Sequence, residues 1–321
     1  MNSDLRYRLC QTNPALGAVH ANLDDHLTRI AAARADEVDL LVLPELSLTG
    51  YFLKDQVPEV ALELGAPELE RIAEATREGT AVVAGFVERA RDGRCYNAVG
   101  WFENGRLVHV HRKVQLVHYG MFDEGRDFAA GEHYDVVRSA RADVGLLTCE
   151  DAWHTDGAFL HMLDGADLIV VPSASPARGV LASEEGGLAS VAAWDRLLAT
   201  HAMTTTCYVL YANRTGWEDG IGFSGYSAVY GPDGTRLARI ESIEEGCLDG
   251  VLSARDLSAQ RTMTPLLRDS KPWLLQRELE RRFGASDLES YLDGNWDEDW
   301  SDDPDIDVDP ELDAIDDENE E

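Results

Sequence analysis

The sequence predicts an α/β fold in which two mixed sheets pack face to face, with helices on their outer faces. Three observations carry this. Strand-like and helix-like stretches alternate along most of the 321 residues. Several strand candidates are wholly apolar, as in Leu40-Leu41-Val42-Leu43, the mark of a strand covered on both sides. The turn dipeptides Asp92-Gly93 and Asn104-Gly105 link neighbouring strands as hairpins, which argues against a purely parallel sheet. Stacked sheets flanked by helices give every apolar strand two covered faces.

The elements follow in order. Residues 7–11 read as a short strand. Residues 22–34 read as a helix, because Leu23, His26, Leu27, Ile30 and Ala31 recur at helical spacing. The buried strand 39–44 is followed by a helix over 67–79, an apolar strand over 81–87, and hairpin strands at 96–102 and 107–112. Buried strands are predicted at 144–148, ending at Cys149, and at 168–172. A helix over 187–203 leads to a strand at 207–213. Strands 227–230 and 237–240 flank the turn Pro232-Asp233-Gly234, and 246–252 is the last strand. A helix over 271–284 starts after Ser270 and stops at Gly284. This predicts a main domain over 1–265, a C-terminal helix over 266–292 available for contact with a second copy, and an acidic, disordered tail over 293–321.

Charge narrows the classes of partner. There are 28 basic and 60 acidic residues, a net charge of -32. Half of it lies on residues 293–321, which hold 16 Asp or Glu and no Lys or Arg. Such a segment repels itself and gains little from collapse. Nucleic acid and anionic membrane surfaces are poor partners for this chain. Mean hydropathy is -0.27, and no apolar run has the length of a membrane span. The start, Met1 to Arg6, lacks the apolar core of a secretion signal. Five cysteines without a CxxC pair argue against a disulfide framework or structural zinc and fit a reducing cytoplasm. Only Lys54, Lys113 and Lys271 are lysines, which with the acid excess suggests adaptation to salt.

Three residues at strand ends carry the candidate chemistry. Cys149 follows the apolar strand 144–148, where a thiol can be presented on a rigid support. It needs a base or a nearby cation to act as a nucleophile, and taken alone its ordinary fate is that of a small buried hydrophobe. Glu45 ends the strand 39–44, at the rim of the core, where desolvation raises a carboxyl toward base chemistry. A lone glutamate is more often a surface or capping residue. Lys113 ends the strand 107–112. In a chain that otherwise uses arginine it suggests a need for a compact ammonium, although strand edges also favour lysine. Together the thiol, carboxylate and ammonium are harder to dismiss than any one of them.

With these residues the sequence resembles the nitrilase superfamily, carbon–nitrogen hydrolases with a Glu–Lys–Cys triad. The matching segments are Leu43-Pro44-Glu45 through Thr49-Gly50-Tyr51, then Arg112-Lys113, then Phe122-Asp123-Glu124 through Gly131, then Thr148-Cys149-Glu150-Asp151-Ala152-Trp153. They stand in family order from residue 5 to about 260. The resemblance implies a four-layer α-β-β-α sandwich, paired with a second copy or assembled into a higher homo-oligomer. It implies Cys149 as nucleophile, Glu45 as base, and Lys113 with the backbone N–H after Cys149 as oxyanion donors. Glu124 would orient Lys113 and the substrate amine. The reaction would run through a thioester, with no metal or organic cofactor.

Within the superfamily, 113–124 and 149–153 look most like the glutaminase domain of glutamine-dependent NAD synthetase, and Ser173-Ala174-Ser175-Pro176 matches near its pocket. By that resemblance Tyr119, Glu150 and Ser175 line the amide site, and Arg178 is a weaker candidate for a substrate carboxylate. Glu150 follows Cys149 where nitrilases usually have Trp, which favours an amide over a nitrile. No synthetase domain follows in the sequence, so the expectation is an amidase converting a linear carboxamide to acid and ammonia. A glutaminase subunit serving a separate synthetase, and a nitrilase or N-carbamoyl amide hydrolase, are alternatives. A non-enzymatic binder working through the acidic tail is the alternative from another class. The string Gly220-Ile221-Gly222-Phe223-Ser224-Gly225 fits a dinucleotide fingerprint, but a hairpin rather than a helix is predicted after it. His109 and His111 alternate along one strand, which sets both on one side, and His118, His133, His154 and His161 show no metal spacing with acids.

Salt adaptation predicts that the unfolding midpoint and turnover both rise between dilute buffer and molar potassium chloride. Equal values at both extremes refute it.

Overall fold

The computed structural model describes residues 1–179 and 187–292, so the tail expected over 293–321 lies outside the described residues. The chain divides into two compact units, Met1–Ser270 and the part from Lys271 onward. The first contains strands β1 (Leu5–Gln11), β2 (Leu40–Val42), β3 (Ala81–Arg89), β4 (Cys95–Glu103), β5 (Arg106–Arg112), β6 (Val136–Arg138), β7 (Asp143–Leu146), β8 (Leu168–Ser173), β9 (Tyr208–Asn213), β10 (Trp217–Glu218), β11 (Ile221–Gly222), β12 (Ala228–Tyr230), β13 (Arg236–Arg239) and β14 (Gly246–Leu252). Its helices are α1 (Val19–Ala35), α2 (Val57–Val60), α3 (Pro67–Ala75), α4 (Thr155–Leu163), α5 (Ala189–Thr205), α6 (Ala254–Met263) and α7 (Leu266–Asp269). The second unit contains α8 (Pro272–Leu292), interrupted at Gly284, whose φ of 65° and ψ of 165° are not helical. The stop expected at Gly284 is therefore present, with a further helical stretch beyond it.

The strands form two six-stranded sheets, ordered β14-β1-β2-β3-β4-β5 and β13-β12-β9-β8-β7-β6, and a small hairpin of β10 and β11. Side chains alternate as the apolar runs require. Leu40 and Val42 join Leu9, Val83, Val144, Val170 and Leu210 in the core between the sheets. Leu41 and Val82 point the other way, against Leu23 and Ile30 of α1 and Leu69 and Ile72 of α3. On the far side Ile169 and Val209 pack against Trp194, Leu198 and Ala202 of α5 and Ala158 of α4. This is the expected α-β-β-α sandwich. Periodicity missed α4, α6 and β6. Helices α4 and α6 are only 9 and 10 residues long, and β6 is a three-residue edge strand, too short for a strong local pattern.

The topology gathers strand ends. Strand β2 runs parallel to β3, and β3, β4 and β5 alternate in direction, so β2 and β5 finish at the same rim. In the other sheet β7 and β8 are parallel neighbours and finish together. Glu45, Lys113, Cys149 and Ser173 stand at or just past these ends. After β2 the chain folds against β3, with Leu48 N–H donating to Gly85 O at 2.9 Å. A Cβ on Gly85 would stand 2.2 Å from Leu46 N and 2.7 Å from Pro44 O, so the segment holding Glu45 can lie on β3 only because residue 85 lacks a side chain.

Gly85→Ala is therefore expected to destabilise the fold by about 1–3 kcal/mol and to lower turnover by displacing Glu45. Unchanged thermal unfolding and rate would show that this close approach has no role.

Candidate active site

The site is built around one buried ammonium. Lys113, whose side chain is 0% exposed, directs Nζ at Glu45 Oε1 (2.9 Å) and Glu124 Oε1 (2.7 Å). Lys113 N–H also donates to Asn97 O at 2.9 Å, which carries the line of β5 one residue past its end. Burial alone would strip the proton from the amine, but the Glu124 and Glu45 carboxylates outweigh it and hold the ammonium well above the usual lysine range.

Glu45 has both oxygens engaged. Oε1 also accepts from Asn97 Nδ2 at 2.7 Å, and Oε2 accepts from Ala174 N–H at 2.7 Å. Burial raises its carboxyl above the ordinary range, with Lys113 opposing. Glu124 is fixed by Tyr51 Oη–H, donating to Oε1 at 2.6 Å, and by Val117 N–H, donating to Oε2 at 3.0 Å.

Cys149 lies across the rim, in the other sheet. Its φ is 46°, in the left-handed region that a non-glycine residue occupies only under constraint. It opens a helical turn over Cys149–Trp153. Ser173 Oγ donates to its sulfur at 3.1 Å, and the next residue, Ala174, holds Glu45. Sulfur and base are thus tied to adjacent residues at the end of β8. Burial, and after it Glu45, push the thiol well above its ordinary range, and Lys113 only partly offsets them. The thiol rests protonated.

Asp151 locks the two halves together. Its Oδ1 accepts from Val114 N–H (3.0 Å) and Gln115 N–H (2.8 Å), just beyond Lys113. Its Oδ2 accepts from Thr148 N–H (2.9 Å) and lies 2.7 Å from His111 Nε2. Burial would raise this carboxyl, but His111 and the backbone donors win and lower it. His111 is thus a structural partner of a carboxylate. Thr148-x-x-Asp151 has the spacing of a helix-start signature, which could have exposed Asp151; Tyr51 and Ser173 stand in the matching segments without a role assigned to them, and nothing local announces Asn97.

The expected substrate contacts divide. Tyr119 Oη–H reaches Glu150 Oε1 at 3.0 Å and Oε2 at 3.1 Å. Burial raises the Glu150 carboxyl despite that bond, and the Tyr119 hydroxyl is pushed up to about 12 by burial and by Glu150. Arg178 is exposed and lies over the Phe122 ring at 5.7 Å, near Gly120. Ser175 instead turns its Oγ to Trp194 Nε1 at 2.7 Å, and its N–H to Asn213 Oδ1 at 2.8 Å. The hydroxyl at the sulfur is that of Ser173. Tyr51, Phe52, Phe122 and Phe223 form an aromatic wall beside Glu124. Buried Arg214 supports it: it stacks on Phe223 at 4.0 Å and pairs with Glu218. Glu218 in turn accepts from Tyr51 N–H and Phe52 N–H. The glycines at 220–225 stand in the β10–β11 hairpin and the segment after it, with no helix following, so the dinucleotide fingerprint is absent in three dimensions. Among the described residues no group of three His, Cys, Asp or Glu could hold a metal, and no helix is long and apolar enough to cross a membrane.

Comparison with known proteins places this geometry. The carbon-nitrogen hydrolase family model matches residues 6–262. A protein of Pseudomonas protegens described as a hydrolase in the pqqF 5′ region is 32% identical over 273 residues, covering 84% of this chain and 90% of that one. The glutamine-dependent NAD(+) synthetase of Thermotoga maritima is 34% identical over 237 residues, covering 72% of this chain and 39% of the synthetase. The chain thus spans well under half of that relative. Among solved structures, a variant of the amidase from Nesterenkonia sp. AN1, carrying the acetamide moiety of fluoroacetamide on its active-site cysteine, superposes with a TM-score of 0.69 at 25% identity, covering 86% of this chain and 97% of that one. A carbon-nitrogen hydrolase from Helicobacter pylori shares the fold with a TM-score of 0.74 at 23% identity, covering 87% of this chain and 99% of that one.

Asp151→Ala would leave buried donors unpaired and unpin the turn that begins at Cys149. It is expected to cost about 3–5 kcal/mol of stability and most of the turnover, read by denaturant unfolding and initial rates. A loss under 1 kcal/mol would contradict the role given to this carboxylate.

Proposed function

From the premise that the chain belongs to the carbon-nitrogen hydrolase family, we propose that it is an amidase, converting a linear carboxamide to acid and ammonia through a thioester on Cys149. The observation that carries the reading is the buried Lys113 ammonium between Glu45 and Glu124, with Glu45 linked through Ala174 and Ser173 to the Cys149 sulfur.

The protonation states define the steps. The buried thiol is protonated at rest and needs a base at the moment of attack. Glu45, with its carboxyl raised by burial, is closer in basicity to a thiolate than an exposed glutamate is, which eases transfer. As sulfur bonds to the carbonyl carbon, Glu45 takes the thiol proton and the carbonyl oxygen becomes an oxyanion. Lys113 Nζ and the N–H of Glu150 stabilise that charge. Glu45 then gives its proton to the amide nitrogen, the C–N bond breaks and ammonia leaves. Water attacks the thioester, Glu45 accepts its proton, and the proton returns to sulfur as the acid departs. Glu124 keeps Lys113 charged and aimed throughout.

Glutamine as the amide is the second reading. The Thermotoga relative supports it. So does the chemistry at the mouth, where the Glu150 carboxylate, held by the Tyr119 hydroxyl, is set to meet an ammonium and Arg178 offers a guanidinium to a carboxylate.

Incubation with a panel of primary amides including glutamine, followed by intact-mass and peptide mass spectrometry, is expected to show an acyl adduct on the Cys149 peptide. Cys149→Ala should abolish adduct and turnover with the circular dichroism spectrum unchanged, and full turnover in that variant refutes the proposal. Lys113→Ala should lower kcat by about two to three orders of magnitude, as loss of one oxyanion donor does. Glu45 must be ionised to accept the thiol proton, so the rate should fall as pH drops through its raised pKa, placing the acid limb above that of an exposed glutamate.

A further inference from the structure

The cysteines at 10, 95, 149, 207 and 247 are far apart in sequence, yet two of them meet. In the antiparallel pairing of β1 with the edge strand β14, Cys10 lies directly opposite Cys247. Opposed residues project to the same face of a sheet, with Cα atoms about 4.5–5.5 Å apart. A disulfide spans that separation without moving the backbone. The register therefore sets the two thiols side by side on one face.

Their surroundings differ. Cys10 is fully buried beneath α1, packed among residues such as Leu23, Ile30 and Leu41. Cys247 is exposed. Arg29 of α1 aims Nη1 at the Cys247 sulfur at 3.9 Å. The neighbouring Cys10 thiol, then Arg29 and Arg8, outweigh burial and hold the Cys247 thiol down to about 7. The neighbouring Cys247 and burial push the Cys10 thiol up. An accessible thiolate beside a protected thiol is the pairing through which peroxides oxidise proteins reversibly.

We propose that Cys247 and Cys10 form a peroxide-sensitive dithiol, distinct from Cys149, in which Cys247 attacks and Cys10 resolves. The Cys247 thiolate attacks one oxygen of a hydroperoxide, the O–O bond breaks, and the other oxygen leaves as an alcohol, or as water, after taking a proton. Cys247 is left as a sulfenic acid. Cys10 sulfur then attacks the Cys247 sulfur, and the expelled hydroxide takes the Cys10 proton and leaves as water. Two electrons pass from the sulfurs to the peroxide, and a disulfide joins β1 to β14. The product is an edge strand covalently fastened to its neighbour, reopened by any small dithiol.

The test uses the full chain treated with equimolar hydrogen peroxide and digested without reduction. Mass spectrometry is expected to find the Cys10 and Cys247 peptides joined, about 2 Da lighter than their sum, with dithiothreitol separating them. The oxidised protein should unfold at a higher temperature than the reduced one. Cys247→Ser, at an exposed position, should leave Cys10 reduced at the same dose. Cys10→Ser should leave Cys247 as a sulfenic acid that dimedone traps. Oxidation of wild-type Cys247 to sulfinic acid with Cys10 still free, or consumption of Cys149 while both remain reduced, overturns the proposal.

Discussion

An ammonium with no access to water, held between two carboxylates, organises this molecule. An unpaired charge in such a place would cost several kcal/mol, so the surrounding chain must supply its partners. Lys113 therefore requires Glu45 and Glu124, and these in turn require Asn97, Ala174, Tyr51 and Val117 to satisfy their remaining lone pairs. Much of the architecture of the rim follows from that chain of obligations. It sets where β2 and β5 end, why residue 85 has no side chain, and why β8 closes on Ser173 and Ala174.

The same burial settles the chemistry of the sulfur. A cation near a thiol ordinarily favours the thiolate, yet here the cation is already shared by two carboxylates and the sulfur is desolvated beside one of them. The net effect is a thiol that keeps its proton. In the proposed reaction nucleophilicity is generated at the moment of attack, when Glu45 removes the proton. This fits a pocket in which the charge of Lys113 is matched at rest and available when an oxyanion forms.

The sequence made the layers of this fold readable because their cause is local. Apolar runs in β2, β3, β7 and β8, and turn dipeptides between β3, β4 and β5, are short-range signals. Glu45, Lys113 and Cys149 could be singled out because each sits where an apolar run stops, and Glu124 because of the motif around it. What was hidden depends on contacts between distant positions. Asn97 to Glu45, Tyr51 to Glu124 and Ser173 to Cys149 join residues 52, 73 and 24 apart, with no periodicity to mark them. The resemblance points to Ser175, but the structure sets Ser173 at the sulfur and turns Ser175 to Trp194, a choice made where the chain leaves β8 and marked by no local pattern. The Cys10–Cys247 pairing was equally invisible, since it arises from the register of the first strand with the last.

Asp151 and Ala174 also bear on how the protein comes into being. The carboxylate of Glu45 is synthesised early, but the backbone group that holds its second oxygen lies 129 residues downstream, and the anchor for the segment after Lys113 lies about 37 residues downstream. Such long-range closures are entropically slow to reach. The neighbours that give Glu45 and Cys149 their present surroundings are therefore assembled only once both sheets are in place, long after either side chain has been synthesised.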